Sequence, residues 1–379
     1  MGAVAFLEGI AFLFALGEVG NTPRRRLFDV NRFLGSAIVY LALGGMLVYQ
    51  AASSLGRAGS SPMRHLVPWP LLAVFPLLIL AGQLQVDHPQ RLPWLFPVVN
   101  LGIVSIPSFV IAMTVARNYA RTNRWAWPVS WREWTTGIIY GAIGATTVAS
   151  IINLLYLVIM GIFLIDRFGS GSAIDLGDNL STLPRAWGIF FDVTVLSVVA
   201  PLNEEFWKGM LVAFFFFRKG RAARCFLWGV LAGCGFNLIE TFENSISVVS
   251  PAALADQTLG GRWWLFAVAR AGTGTIHAFA TGLSALGFYG LFRRRARYLV
   301  GYPLGVLTHG TWNFLAYANA GDAFFSGAGP DSRALDYLSA AAMVALVAGA
   351  ALLLWELPRR LRDDRPAPIY QLLGMLPRG

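Results

Sequence analysis

Glu204-Glu205-Phe206-Trp207-Lys208 sets two adjacent carboxylates and an ammonium inside one of the most apolar stretches of a 379-residue chain. Val195-Leu196-Ser197-Val198-Val199-Ala200 precedes the cluster and Phe214-Phe215-Phe216-Phe217 follows it. Charges are costly at membrane depth, so these are expected to face a protein interior or a water-filled cavity. Glu204 and Lys208 are i,i+4 neighbours on a helix and can pair. Glu205 points about 100° away, so the two carboxylates cannot share one role. One carboxylate in each protonation state would suit general-base and general-acid work. A buried structural ion pair is the alternative for any single Glu–Lys pair. Three later apolar segments carry further polar residues of catalytic type: Glu240 with Glu243, His277, and His309 with Asn313. Together they point to hydrolytic chemistry within a bilayer.

Asn237, Glu240, Thr241 and Asn244 recur at i, i+3, i+4 and i+7, which makes one polar stripe on a helix. Glu243 lies beside that stripe. Gly229, Gly233 and Gly235 allow a neighbouring helix to approach closely. His277 sits in the small-residue run Arg270-Ala271-Gly272-Thr273-Gly274-Thr275-Ile276-His277. His309 and Asn313 share one helix face, and Asn313 could polarise a carbonyl as oxyanion-hole amides do. Taken singly, each histidine reads as an interhelical hydrogen bonder. The other two histidines, His65 and His88, lie in loops and read as ordinary. There is no HExxH, zinc-finger spacing, GxSxG elbow or phosphate-binding glycine loop.

These residues need long helices to hold them. With 56% hydrophobic and 13% charged residues, the chain falls far from soluble domains, where about 25% are charged. Apolar runs at 3–17, 33–54, 67–85, 92–116, 136–165, 187–217, 225–248, 263–292, 298–318 and 335–356 predict an all-α polytopic bundle of nine to ten membrane segments. The segment 187–217 is longer than one upright span needs and contains Pro201, which bends it just before Glu204. Met1–Leu16 lacks a basic leader and carries Glu8, so it reads as an uncleaved first helix. Cys225 and Cys234 lie nine residues apart in one segment and cannot bridge.

The net charge of +10 resides in arginine clusters between apolar runs, the positive-inside pattern, and does not indicate nucleic acid. Arg117/Arg121/Arg124/Arg132, Arg218/Lys219/Arg221/Arg224, Arg293/Arg294/Arg295/Arg297 and Arg359/Arg360/Arg362 are expected on the cytoplasmic side. The segments 166–186, 249–262 and 319–334 are expected outside. Arg24-Arg25-Arg26 breaks the pattern, so one of the first four segments is expected not to cross, with 3–17 and 92–116 the candidates. Counting about 1.5 Å per residue from the inner helix ends puts Glu204, Glu240, His277 and Asn313 about 20–22 Å deep and His309 about 16 Å deep, in one layer.

The ordered set Glu204-Glu205-x-x-Lys208, Gly235-Phe236-x-x-x-Glu240, His277 and His309-x-x-x-Asn313 resembles the PrsW family of membrane proteases. That family stands within a wider group that includes the type II CAAX prenyl endopeptidases. The likeness covers about residues 200–315. It departs at Thr241, where the family usually has Asn after the second-motif glutamate; Glu243-Asn244 repeats that pair three residues later. The resemblance implies proteolysis of membrane-bound protein substrates, as in release of anti-sigma factors, at a bacterial-type plasma membrane with the C-terminus cytoplasmic. It implies a catalytic core at 135–320, flanked by N-terminal segments 1–134 of unknown role and a last helix with a basic tail at 321–379. Glu204 or Glu205 would activate water, assisted by His277 or His309, with Asn313 stabilising the oxyanion. Lys208, Asn237, Arg270, Glu243 and Asn244 would support them. A metal-free glutamate mechanism accounts for these residues. So does a Zn2+ site of Glu204, Glu240, His277 and His309, although Lys208 would repel the ion. A proton-coupled transporter would predict repeated halves, which are not found. A non-catalytic scaffold would predict that Glu204 and Glu205 can be replaced.

Overall fold

The computed structural model describes residues 2–56, 60–62, 68–122, 129–169, 182–213, 221–255, 263–319 and 331–361. Arg124, Arg218, Lys219, Arg362, His65, the phenylalanine run at 214–217, most of 166–186 and 319–334 and half of 249–262 lie outside the described residues, as does the C-terminal tail. The longer helices are α1 (Gly2–Phe14), α2 (Pro23–Leu55), α3 (Trp69–Asp87), α4 (Pro93–Thr122), α5 (Trp131–Phe168), α6 (Arg185–Gly209), α7 (Ala222–Val248), α8 (Trp263–Arg293), α9 (Gly301–Asn319) and α10 (Asp331–Arg360). Among the described residues there is no strand, only a bridge between Pro62 and Ser130. Eight helices, α2 to α8 and α10, are long and apolar enough to cross a membrane. The 13 residues of α1 rise only about 20 Å, short of a hydrocarbon core of about 30 Å. Polar residues and glycines lower the hydropathy of α9.

Burial sorts the bundle into an axis and a shell. In α7 and α8, 89% and 83% of the most apolar window is buried, against 17% in α3 and α6 and 11% in α10. Backbone contact holds the axial pair together: a Cβ on Gly233 would stand 2.3 Å from the carbonyl oxygen of His277. Glu240, two turns after Gly233, therefore faces α8 beside His277. The predicted division at 134/135 falls within α5, and residues of α4 join α7 and α8 in one core.

The bend expected at Pro201 takes a specific form. A π-helical turn at Thr194–Val199 precedes it, and the helix then continues to Gly209. Proline has no N–H, so in the wider i→i−5 ladder the carbonyl of Leu196 loses its donor. Asn313 Nδ2 on α9 donates to that carbonyl at 2.9 Å. Gly310 lets α9 approach the break, since a Cβ there would lie 2.3 Å from Ser197 O.

The expected topology needs one correction. Arg132 N donates to Ser60 Oγ at 3.0 Å, so the α2–α3 connection lies beside the start of α5, at the end that holds Arg117 and Arg121. Leu27, Phe96, Val249 and Trp263 pack together at the other end. Thus α2, α3 and α4 all run the length of the bundle, and Arg24-Arg25-Arg26 sits opposite the arginine clusters. The α1 helix precedes the triplet, so its shortness does not change the triplet's side. Arg25 is partly neutralised through a 2.9 Å bond to buried Asp29.

The axial contact predicts that Gly233→Ala destabilises the protein by about 1–3 kcal/mol through overpacking against backbone. Gly45→Ala, where nothing lies within 4 Å of the added atom, is expected to leave stability unchanged or slightly raised. Thermal melts of both variants in detergent check the contrast.

Candidate active site

Lys208 lies at the centre of the polar cluster, fully buried. Its ammonium donates to Glu204 Oε2 at 3.1 Å, Glu205 Oε1 at 3.0 Å and His277 Nδ1 at 2.9 Å, which uses all three of its N–H bonds. Beneath it the ring of Phe236 lies 3.7 Å away, a cation–π contact. Glu204 and Glu205 diverge from adjacent positions, and the lysine one turn on meets both.

Each histidine is backed by a carboxylate. His277 Nε2 donates to Glu240 Oε2 at 2.8 Å, leaving Nδ1 to accept from Lys208. Arg270 holds the same Glu240 oxygen at 2.8 Å and bonds Thr241 Oγ1 at 3.0 Å. His309 Nδ1 donates to Glu205 Oε1 at 3.1 Å. That leaves Nε2 of His309 facing Glu204 Oε2 at 3.9 Å. The two rings meet edge to face, with centroids 4.5 Å apart. Glu205 is fully enclosed, its second oxygen accepting from Ser284 Oγ at 3.3 Å. Glu204 keeps 11% of its side chain exposed, so it is the less enclosed member of the pair.

The structure thus gathers Glu204, Glu205, Lys208, Glu240, Arg270, His277 and His309 from α6, α7, α8 and α9. Other sequence-predicted residues are placed differently. Asn313 donates its amide to the Leu196 carbonyl at 2.9 Å, and the same Nδ2 lies 3.4 Å from His309 Nε2. Asn237 donates to Ser108 Oγ on α4 and accepts from Thr241, which ties helices together. Glu243 is exposed and lines a separate cleft with Arg32 and Tyr40, while Asn244 is half-buried beside it.

Two contributors escaped the sequence reading. Asn153 on α5 donates to Glu204 Oε1 at 3.2 Å and accepts from Asn203 at 2.8 Å. Ser284 is the other, two turns after His277 on the same face of α8. Asn153 carried a signal, as an amide within the apolar run Ile151-Ile152-Asn153-Leu154-Leu155.

The donor set suits a metal. Glu204, His277 and His309 each offer a ligand atom within 4.8 Å of the others, all three residues buried. A glutamate with two histidines is a common catalytic zinc set. The carboxylates behind both rings are the partners that metal-bound histidines usually have. Glu240 lies outside that group, held by Arg270. Lys208 competes for the space, since it bonds Glu204 and His277 directly.

Removing only the ammonium would strand two buried carboxylates. Lys208→Met is expected to destabilise the protein by about 3–5 kcal/mol. Adding Glu205→Gln should recover part of that loss, as a double-mutant cycle of detergent melts would report.

A comparison with protein-family models matches residues 160–350, about half of the chain, to the family described as PrsW family intramembrane metalloprotease. No curated protein and no solved structure matches.

Proposed function

Because the chain belongs to the PrsW family of intramembrane metalloproteases, we propose that Glu204 is the residue that activates water for cleavage of a membrane-anchored protein substrate. It is a multi-pass membrane protease, and its substrates are membrane proteins. What carries the assignment to Glu204 is its position at the partly open edge of the cluster, with His309 Nε2, which Asn313 Nδ2 approaches to 3.4 Å, standing 3.9 Å away. Glu204 would take the proton from water, and His309 would receive or return it to the leaving amine. Glu205 orients His309 and anchors Lys208. Glu240 and Arg270 fix the tautomer of His277. Lys208 keeps positive charge beside the carboxylates, where an oxyanion would develop. Asn313 braces the break in α6.

Glu204, His277 and His309 would hold a divalent ion, which when bound acts as a Lewis acid and lowers the pKa of its water. Three carboxylates, Glu204, Glu205 and Glu240, stand against two cations, Lys208 and Arg270, which leaves one formal negative charge to attract it. The arginine clusters support an orientation in a plasma membrane with the C-terminus cytoplasmic. A role in regulatory site-1 cleavage, and kinship with the CAAX prenyl endopeptidases, belong to the same proposal.

The test is cleavage of a membrane-protein library by purified protein in nanodiscs. Glu204→Gln and His309→Ala are expected to lower the rate by about 10²–10⁴-fold, and Glu205→Gln by a similar factor through loss of the His309 partner. Glu243→Gln should cleave like wild type. Loss of cleavage with a chelator, restored by zinc, assigns the metal; chelator-resistant cleavage assigns the glutamate alone. Full activity in Glu204→Gln would refute the assignment.

A further inference from the structure

Arg117 and Arg121 lie four residues apart on one face of α4, so like charges meet where neighbours on a helix repel. Both line a pocket with Pro68, Trp69, Asn118 and Trp355, between the start of α3 and the ends of α4 and α10. No acidic side chain among the described residues lines it. Among the described residues neither guanidinium has a hydrogen bond or ion pair, and Arg117 Nε is buried without a partner. So is Thr114 Oγ1, which opens on the same pocket. Asn118 is occupied, its Nδ2 donating to the Trp355 carbonyl across to α10. Two cations and a hydroxyl aimed into one recess describe a site for an anion. The recess measures about 40 Å3, room for about three water-sized atoms, which suits the outer oxygens of a phosphate.

Its surroundings select the carrier of that phosphate. Two tryptophans flank the pocket at helix ends, as interfacial aromatic residues do. Trp69 is 47% exposed and Leu72, one turn further into α3, is 43% exposed, giving an acyl chain an apolar wall next to the opening. Basic pockets between spanning helices on the arginine-rich side commonly take anionic headgroups. We infer that Arg117, Arg121 and Thr114 bind the phosphate of an anionic phospholipid, clamped between α3, α4 and α10. The site lies at the arginine-rich end of α4, outside the residues of the catalytic cluster and outside the matched stretch 160–350, and it stands whether or not the cleavage mechanism above is right.

Native mass spectrometry of the delipidated full-length protein tests it, with phosphatidylglycerol and phosphatidylethanolamine titrated separately and inorganic phosphate as competitor. Wild type is expected to take up one phosphatidylglycerol in preference to phosphatidylethanolamine. Arg117→Gln/Arg121→Gln should weaken that uptake about tenfold or more, the loss of one to two charged contacts. Arg294→Gln/Arg295→Gln, at exposed side chains just after α8, should stay near wild type. If the double variant fails to fold, Arg121→Gln alone, at an exposed side chain, serves. Equal uptake by wild type and the Arg117/Arg121 variants, or no preference for the anionic lipid, overturns the inference. Displacement of the lipid by millimolar inorganic phosphate would overturn the lipid and assign a soluble phosphate.

Discussion

Three N–H bonds on one buried nitrogen hold the site together. The Lys208 ammonium joins two carboxylates of its own helix to a histidine of α8, and through Glu205 it reaches His309 of α9. A buried charge is tolerated only when each of its donors or acceptors is met. Here the acceptors are also the candidate reactive groups. The same contacts that make the ammonium affordable therefore fix Glu204, Glu205 and His277 relative to one another. Arg270 does the same for Glu240 at the far side of His277. The cluster is a lattice in which cations set the geometry of the carboxylates, and those carboxylates set the tautomers of the histidines.

Backbone features carry that lattice. Gly233 brings α7 against α8 until main chains touch, which turns Glu240 toward His277. Pro201 breaks the hydrogen-bond ladder of α6 just before the Glu-Glu pair, and Asn313 supplies the donor that the proline lacks. A helix with an unmet carbonyl inside hydrocarbon would be expensive. One residue of α9 thus meets that carbonyl while a neighbour one turn away, His309, meets Glu205. Local irregularity in α6 and the polar face of α9 are two halves of one arrangement.

Much of the gathering was legible because ionisable side chains are rare in apolar helices and stand out there. Glu204, Glu205, Lys208, Glu240, Arg270, His277 and His309 could be selected on that ground, and helix counting put them near one depth. Asn153 stood out only as a lone amide in an apolar run and Ser284 did not stand out, because neutral polar residues in helices are frequent and their partners are set by packing. The polar stripe already set Glu240 apart from Glu243, and the close approach at Gly233 shows which way that stripe faces. The role of Asn313 depended on an irregular helical turn that no periodicity announces. Charge counting called for a non-crossing segment among the first four, and the short α1 is one, but the side of Arg24–Arg26 follows from α2 to α4, which lie after it.

The distance in sequence between the partners of Lys208 bears on how the chain is made. Glu204, Glu205 and Lys208 emerge from the ribosome before α8 and α9 exist. His309 follows Glu204 by 105 residues (309 minus 204), and synthesis at about 5–20 residues per second makes that a wait of roughly 5–20 s. Until α8 arrives, Glu204, Glu205 and Lys208 have one another and Asn153 of α5 as polar partners, which leaves the histidine side of the cluster unmet in lipid. Insertion of α6 is thereby coupled to the arrival of the C-terminal helices, and a chain halted before α9 would leave its reactive centre unassembled and exposed to membrane quality control.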